Sequence, residues 1–231
     1  MQRSAPRTAR ALTAGLALPV LLLAATGCSS LLGEKEDGSG SSSPSSASPS
    51  PTVKAAKFAE LPRACKTVPE ATVKELVKKV KPLTGTAVKS SDTSARGGCA
   101  WHGLDGYQFK YLDVTLQRLE SDPSLGTGEK RAEKAYARTL KGEEAVDGAK
   151  NLVTDKLAEV GDQAAAISFT QVKGKETYVQ QTVVARIANV VVTVHYQGSG
   201  FAGAKEPKAA DIAKGAQAAM KRVLESVGET A

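Results

Sequence analysis

Val190-Val191-Val192-Thr193-Val194-His195-Tyr196 predicts an interior β-strand. Five of these seven residues are β-branched and one more is aromatic, a composition that fits a pleated sheet. Successive side chains of a strand point to opposite faces, so valine lies on both faces here. A strand that is apolar on both sides is covered on at least part of each side.

Two further strands precede this segment and are joined to it by short turns. Residues 164–172 and 177–187 each contain apolar and β-branched runs, and Lys173-Gly174-Lys175 separates them. Only Ala188-Asn189 separates the second run from residues 190–196. Connections this short join neighbouring antiparallel strands. We therefore predict an antiparallel meander of three strands.

A second group of strands is predicted earlier in the chain. Residues 99–102 form a short strand, Asp105-Gly106 marks a turn, and residues 107–119 form a longer strand. The aromatic residues Phe109 and Tyr111 fall in the opposite phase to Leu112 and the apolar residues that alternate after it. A β-bulge near Lys110–Leu112 would bring both sets into one core, so we expect one there.

Three helices are predicted. Thr67 and Glu70 have the spacing of a capping box, which opens a helix that ends before Pro82. Residues 128–145 form a second helix, rich in alanine and charge. Residues 207–228 form the third, whose broad apolar stripe indicates packing against the core.

This order of elements predicts an α+β fold in which about three helices pack on a mostly antiparallel sheet. We expect one extracellular domain at residues 57–231, which is long enough for one sizeable core. A signal peptide at residues 1–27 and a tether at residues 28–56 precede it.

The N-terminal segment has the three zones of a secretory signal peptide. Residues 1–10 contain three arginines and no acid, and residues 11–25 contain no charge. The apolar zone would be about 22 Å long as a helix. A bilayer core of about 30 Å needs about 20 residues, so a transmembrane helix is the weaker interpretation.

The apolar zone ends in Ala25-Thr26-Gly27-Cys28, which is typical of a lipobox. We predict cleavage between Gly27 and Cys28, with diacylglyceryl and fatty acyl groups such as palmitate on Cys28. Ala25 stands where leucine is usual. An ordinary signal peptide with an incidental cysteine is the alternative. Two acyl chains are enough for stable anchoring, since each buried methylene contributes about 0.8 kcal/mol.

The tether is dominated by Ser, Pro, Gly and Ala between residues 39 and 52. It cannot bury enough apolar surface to fold, so we predict a disordered spacer. Loss of residues 1–27 lowers the formal net charge from +7 to +4. The remaining charge is spread along the chain without a basic, aromatic-rich block, so we predict no nucleic-acid partner. We expect a monomer.

Cys65 and Cys99 are the two cysteines that remain if Cys28 carries lipid. In an oxidising compartment, two remaining cysteines favour one disulfide, Cys65–Cys99. A metal site of Cys65, Cys99 and His102 is the alternative, but it lacks a fourth ligand and a Cys-x-x-Cys spacing.

No catalytic, cofactor or metal motif is supported by its sequence context. Gly198-Ser199-Gly200-Phe201-Ala202-Gly203 matches the dinucleotide pattern G-x-G-x-x-G, but the next helix begins only near Pro207, so a flexible connection is favoured. The two histidines of the chain lie in no nucleophile or zinc motif. Four residues beside one another on predicted strands form a possible ligand or core platform: Trp101, His102, His195 and Tyr196.

The lipobox, the Ser/Pro tether, Cys65, Cys99-Ala100-Trp101 and Val160-Gly161-Asp162-Gln163-Ala164 form a set. With them, the chain resembles a family of actinobacterial surface lipoproteins over residues 61–196. That family has a cysteine before the first helix, a C-x-W strand, a Gly-Asp-(Glu/Gln)-Ala turn and an Asn-Val-Val-Val-Thr-Val strand. The resemblance implies an extracellular domain with a Cys65–Cys99 bridge and no established activity.

The leading hypothesis is a lipid-anchored, non-enzymatic binding or interaction domain on the extracellular face of the cell membrane. Its partners would be the membrane, through the N-terminal lipid, and an envelope protein or a small apolar ligand. The alternative is a carrier of a small apolar or lipidic ligand, held beside Ala213, Ala216 and Ala219 of the last helix. An enzyme of the cell envelope is the least favoured hypothesis.

Overall fold

A computed structural model describes residues 52–230. The predicted signal peptide, Cys28 and the tether up to residue 51 lie outside the described residues. In chain order the elements are α1 (Glu70–Leu76), β1 (Thr86–Ala87), β2 (Arg96–Asp105), β3 (Gln108–Arg118), α2 (Gly128–Glu144), β4 (Ala149–Lys156), β5 (Gln163–Lys173), β6 (Glu176–Ile187), β7 (Val190–Gly200) and α3 (Ala209–Gly228).

Strand β7 lies at the centre of a seven-stranded sheet with the order β1-β2-β3-β7-β6-β5-β4. Each neighbouring pair is antiparallel. The predicted interior strand, the meander of β5, β6 and β7, and the α+β class with three helices are confirmed.

The pairing of β3 with β7 joins the β2–β3 hairpin to the meander. It runs from Gln108 opposite Gly200 to Arg118 opposite Val190 without a slip in register. The predicted bulge near Tyr111 is therefore wrong. Tyr111 keeps the phase of the strand and lies on the face opposite Leu112. That face is only partly covered, so aromatic and polar side chains share it.

Helix α1 is shorter than predicted. The Thr67 hydroxyl donates to the Ala64 carbonyl, 2.8 Å away, instead of capping the helix. Pro69 occupies the N-cap position and makes no side-chain capping bond. Beyond the helix, Lys79 has a φ of 56°, which a right-handed helix excludes. The capping box and the extension to Pro82 are therefore wrong.

Strand β4 was not predicted. Its side chains are mostly exposed, and its pairing with β5 shifts register between Lys150 and Val153. Asn151, inside the shift, has a φ of 55°. An edge strand with a bulge lacks the regular alternation by which strands are recognised in sequence.

Two apolar clusters cover opposite faces of the sheet. The larger lies under α3 and α1, and the buried residues of α3 include Ile212, Ala216 and Met220. The smaller lies under α2 and includes Ala132 and Ile167. No helix in residues 52–230 is long and apolar enough to cross a membrane.

The disulfide Cys65–Cys99 ties the segment before α1 to strand β2. Its sulfur atoms are 2.08 Å apart, its Cα atoms are 5.0 Å apart, and 34 positions separate the two residues in sequence. The predicted bridge is confirmed. Because the sulfurs are bonded to each other, they are not available as thiolate ligands for a metal.

Asn189, in the turn before β7, holds the start of the described chain. Its side-chain amide accepts from the Phe58 amide at 2.9 Å and donates to the Phe58 and Leu119 carbonyls at 3.0 Å each. Asn189 and Phe58 are fully buried. Phe58 is therefore fixed at the β6–β7 turn, which we call the Asn189 end of the sheet.

Candidate functional site

Helix α2 covers only part of its face of the sheet. Ala132 and Ala135 of α2 pack on Ile167, Val184 and Val191 of the three meander strands. The last turn of α2 reaches the middle of β7, where Glu143 contacts His195. Beyond that turn, toward Gly200, the helix no longer shields the sheet.

The strand register arranges two rows of side chains on this uncovered part. In the first row, Gln180 of β6 lies opposite Gln197, Gln197 opposite Tyr111, and Tyr111 opposite His102 of β2. In the second row, Ser199 lies opposite Phe109, and Phe109 opposite Leu104. We call the following residues the open strip: Gln180, Gln197, Tyr111, His102, Tyr178, Ser199, Phe109, Leu104 and Phe201.

A cavity of about 430 Å³ lies between the first row and α2. Tyr111, Gln180 and Gln197 line it together with His195 and Glu143. The Gln180 amide donates to the side-chain carbonyl of Gln171 at 3.3 Å, and the Gln171 amide donates to a backbone carbonyl in the α2–β4 loop at 2.7 Å. These bonds orient the amide side chains at the cavity wall.

His195 lies between two carboxylates at the inner end of the cavity. Its Nδ1 is 3.1 Å from Asp113 Oδ1 and its Nε2 is 3.0 Å from Glu143 Oε2. Burial by itself lowers the pKa of His195, but hydrogen bonds and charge from Asp113 and Glu143 outweigh it and raise the pKa to about 9. Both ring nitrogens therefore donate at neutral pH, and the imidazolium links β7 to α2.

This arrangement limits what His195 can do chemically. A general base needs an unprotonated nitrogen near neutral pH. In His195 both nitrogens carry protons, and both protons are directed at carboxylates. His195 and its two carboxylates are therefore suited to form a fixed, charged wall of the cavity and are not suited to abstract a proton.

Three aromatic rings lie at the outer end of the open strip. Phe109 and Phe201 are stacked, with centroids 5.4 Å apart and an interplanar angle of 12°. Tyr178 meets both rings edge-on, at 6.1 Å from Phe109 and 6.3 Å from Phe201. Lys173 places its ammonium 5.5 Å from the centroid of the Tyr178 ring. All three rings are partly exposed.

The structure separates the four residues that were predicted as a platform. Trp101 and Tyr196 lie on the α3 face, where both are buried, whereas His102 and His195 lie on the α2 face. Trp101 donates through Nε1 to the Leu83 carbonyl at 3.1 Å. These two aromatic residues are core residues, and the two histidines are at or beside the open strip.

Tyr196 occupies the space beside the small residues of α3. Its hydroxyl donates to the Leu76 carbonyl at 2.6 Å, and a Cβ on Gly215 would lie 2.5 Å from its Cε1. Burial first, and the nearby Asp211 and Glu75 second, raise the pKa of Tyr196 far above its usual range. The small-residue stripe of α3 thus brings the helix close to the sheet.

The first half of the G-x-G-x-x-G segment has a structural role. Gly198 and Gly200 belong to β7. A Cβ on Gly198 would lie 2.7 Å from the Lys110 ammonium, and one on Gly200 would overlap the Ala204 carbonyl. The glycines allow neighbouring chain segments to approach β7 closely, and the segment does not open a helix.

Sequence reasoning did not identify Asp113, Glu143 or the aromatic cluster. Alternation along β3 places Phe109, Tyr111 and Asp113 on one face, and this signal was available once no bulge was assumed. Glu143 gave no signal, because its contact with His195 spans 52 positions and depends on how α2 crosses the sheet.

Within residues 52–230, no group of three or more histidine, cysteine or acidic side chains is arranged to hold a metal ion.

No protein-family model, no curated protein and no solved structure matches the chain.

Proposed function

We propose that the chain is a lipid-anchored extracytoplasmic lipoprotein whose α+β domain is a non-catalytic binding or interaction domain. The observation that carries this proposal is the open strip, whose amide and aromatic side chains α2 leaves partly exposed, with the Ser199 hydroxyl buried among them. Exposed groups of this kind on a rigid sheet are suited to recognition. We also propose membership of the surface lipoprotein family that the motifs resemble.

The disulfide supports an extracytoplasmic location. Cys99 is fully buried and paired with Cys65, and such bridges persist in oxidising compartments. The lipobox at residues 25–28 supports attachment of this domain to the outer face of the membrane by the Cys28 lipid. The N-terminal lipid then makes the membrane the first partner of the chain.

Within the domain, the aromatic end of the open strip lies far from Phe58. Phe58, near the start of the described residues, is fixed at the Asn189 end by its bonds with Asn189. Strand β7 runs from Val190 to Gly200, which is about 34 Å at the usual rise of an antiparallel strand. The aromatic end of the open strip is at the far end of that strand.

Fractionation of cells that express the chain tests the anchor. We expect wild-type chain in the membrane fraction, labelled by a clickable palmitate analogue. We expect Cys28→Ala to lose the label and to leave the membrane fraction after a high-salt wash. Ser29→Ala, a neighbouring change that keeps the cysteine, serves as the control. Salt-resistant membrane retention of the Cys28→Ala chain would contradict the proposal.

Activity screening tests the non-catalytic part. We expect no hydrolase or transferase turnover that depends on the open strip or on His195. A reproducible activity of the full chain that is lost in His195→Gln or His102→Gln, while both variants remain folded by circular dichroism at the assay temperature, would overturn this part of the proposal.

A further inference from the structure

We propose that the open strip is a binding site for a neutral polysaccharide, a hydroxyl-rich chain of the cell envelope. This inference rests on the proposed binding function and names the chemical class of its partner. It is carried by three features of the strip: its side-chain chemistry, its charge balance and an unpartnered buried hydroxyl.

The side chains of the strip match the two kinds of surface that a sugar presents. A sugar ring has an apolar C–H face, which packs on aromatic rings, and a rim of hydroxyls that both donate and accept. The Phe109, Tyr178 and Phe201 rings supply one partly exposed aromatic platform. The Gln180 and Gln197 amides lie opposite each other in register, and each carries two donors and one acceptor.

The dimensions suit a chain molecule. The first row crosses four neighbouring strands from β6 to β2, which is about 14 Å at the usual strand spacing. The second row lies two residues farther along, about 7 Å away. A strip of this shape is long and shallow, and it is open at the β2 side, where His102 and Leu104 are exposed.

The charges that line the cavity beside the first row balance. Asp113 and Glu143 are the two acids that line the adjoining cavity, and the two cations are His195 and Lys173. Asp113 and Glu143 are already bonded to the imidazolium. A polyanion would need uncompensated cations in the strip, so the balance favours a neutral partner.

Ser199 supplies the third feature. Its side chain is fully buried, and its Oγ has no hydrogen-bond partner among the described residues. Alternation puts Ser199 on the face of the aromatic rings, directly opposite Phe109. A buried hydroxyl without a partner is costly. A sugar hydroxyl would provide both a donor and an acceptor for it, once the partly exposed rings beside Ser199 move aside.

Binding of defined polysaccharides by the full chain in detergent tests the proposal. The probes are the neutral polymers dextran, mannan and galactan, with polygalacturonate as the acidic comparison, measured by affinity electrophoresis and calorimetry. We expect at least one neutral polymer to bind. We expect Phe201→Ala and Gln197→Ala each to weaken that binding about tenfold. Phe201→Tyr keeps the ring and should keep the affinity.

Thr115→Ala is the matched control, because Thr115 is exposed on the same face of the sheet, outside the strip. It should bind like wild type, and all variants should be folded by circular dichroism at the temperature of the binding assay. Absence of binding to every neutral polymer, or binding that Phe201→Ala and Gln197→Ala leave unchanged, would overturn the assignment.

The same samples separate this inference from the proposed function. Tight binding of polygalacturonate alone would overturn the neutral partner and leave a binding domain standing. A bound polymer that becomes shorter with time would overturn the non-catalytic proposal, whereas loss of binding in the strip variants would still support the polysaccharide site.

Discussion

Replacement of His195 by glutamine should change how the stability of the domain depends on pH. The ring nitrogens bond Asp113 and Glu143 at 3.1 and 3.0 Å, and the pKa of His195 rises from 6.5 to about 9. A histidine whose pKa is higher in the folded state than in the unfolded state stabilises the folded state. The stabilisation is fully present when the pH is below the pKa of the unfolded state. This contribution is lost as the pH rises from about 6.5 through about 9.

The size of the effect follows from the pKa and the exposure. A rise of the pKa from 6.5 to about 9 corresponds to about 3 kcal/mol of folding stability in the absence of solvent screening. The side chain is 37 % exposed, and solvent screening reduces the expected contribution to about 1–2 kcal/mol. Burial first, and the Asp113 charge second, raise the pKa of the neighbouring Tyr111 above its ordinary value.

Urea unfolding of the full chain at about pH 6 and about pH 9.5 measures this contribution. We expect the free-energy difference between wild type and His195→Gln to shrink by about 1–2 kcal/mol between the two conditions. A Cys28→Ala background avoids thiol exchange. Glu143→Gln should also reduce the pH dependence.

Glu144→Gln is the matched control for that variant, because Glu144 bonds Thr154 at 2.9 Å and not His195. It should leave the pH dependence unchanged. A difference between wild type and His195→Gln that stays constant, or that grows as the pH rises, would refute the assignment of His195 as an imidazolium held by two carboxylates.

Two further predictions concern the core. The double substitution Cys65→Ala and Cys99→Ala should lower the free energy of unfolding by about 4 kcal/mol. The reason is that the bridge closes a loop that spans 34 positions and so reduces the entropy of the unfolded chain. An unchanged urea midpoint would contradict a structural bridge. Gly215→Ala should cost about 1–3 kcal/mol, offset in part by better helix propensity, because its Cβ would lie 2.5 Å from Tyr196. A Cβ at Gly228 would meet no atom within 4 Å other than the backbone of its own helix, so Gly228→Ala should be neutral or slightly stabilising. Equal thermal midpoints for Gly215→Ala and Gly228→Ala would argue against tight packing of α3.

Much of the fold was predictable because its signals are local. The valine-rich run at 190–196 and the short turns before it were sufficient for β7 and the meander. The apolar stripe of α3 was sufficient for a helix packed on the core. In these segments the local preference and the tertiary environment agree.

The features that sequence reasoning missed depend on long-range contacts. The pairing of β3 with β7 places Tyr111 and Leu112 on opposite faces, and only that pairing shows that no bulge is needed. Strand β4 forms at an edge through its contact with β5. Helix α1 stops early, since the backbone leaves the helical region at Val77, inside the apolar stripe that predicted a longer helix.

The candidate site was only partly predictable for the same reason. The sequence marked His195 as one of two histidines, but its partners come from β3 and α2, at 82 and 52 positions away. The open strip arises because α2 ends beside His195 and leaves the Gly200 end of the sheet uncovered. The position at which α2 crosses the sheet is decided by side-chain packing, and no sequence motif indicates it.

The intact mass of the mature chain, extracted from membranes of the expressing cell, tests most directly the claim that this is a lipid-anchored binding domain. We predict an N-terminus at Cys28 that carries a diacylglyceryl group, with residues 1–27 removed. A mature chain that begins elsewhere, or that begins at Cys28 without acyl groups, would contradict the account.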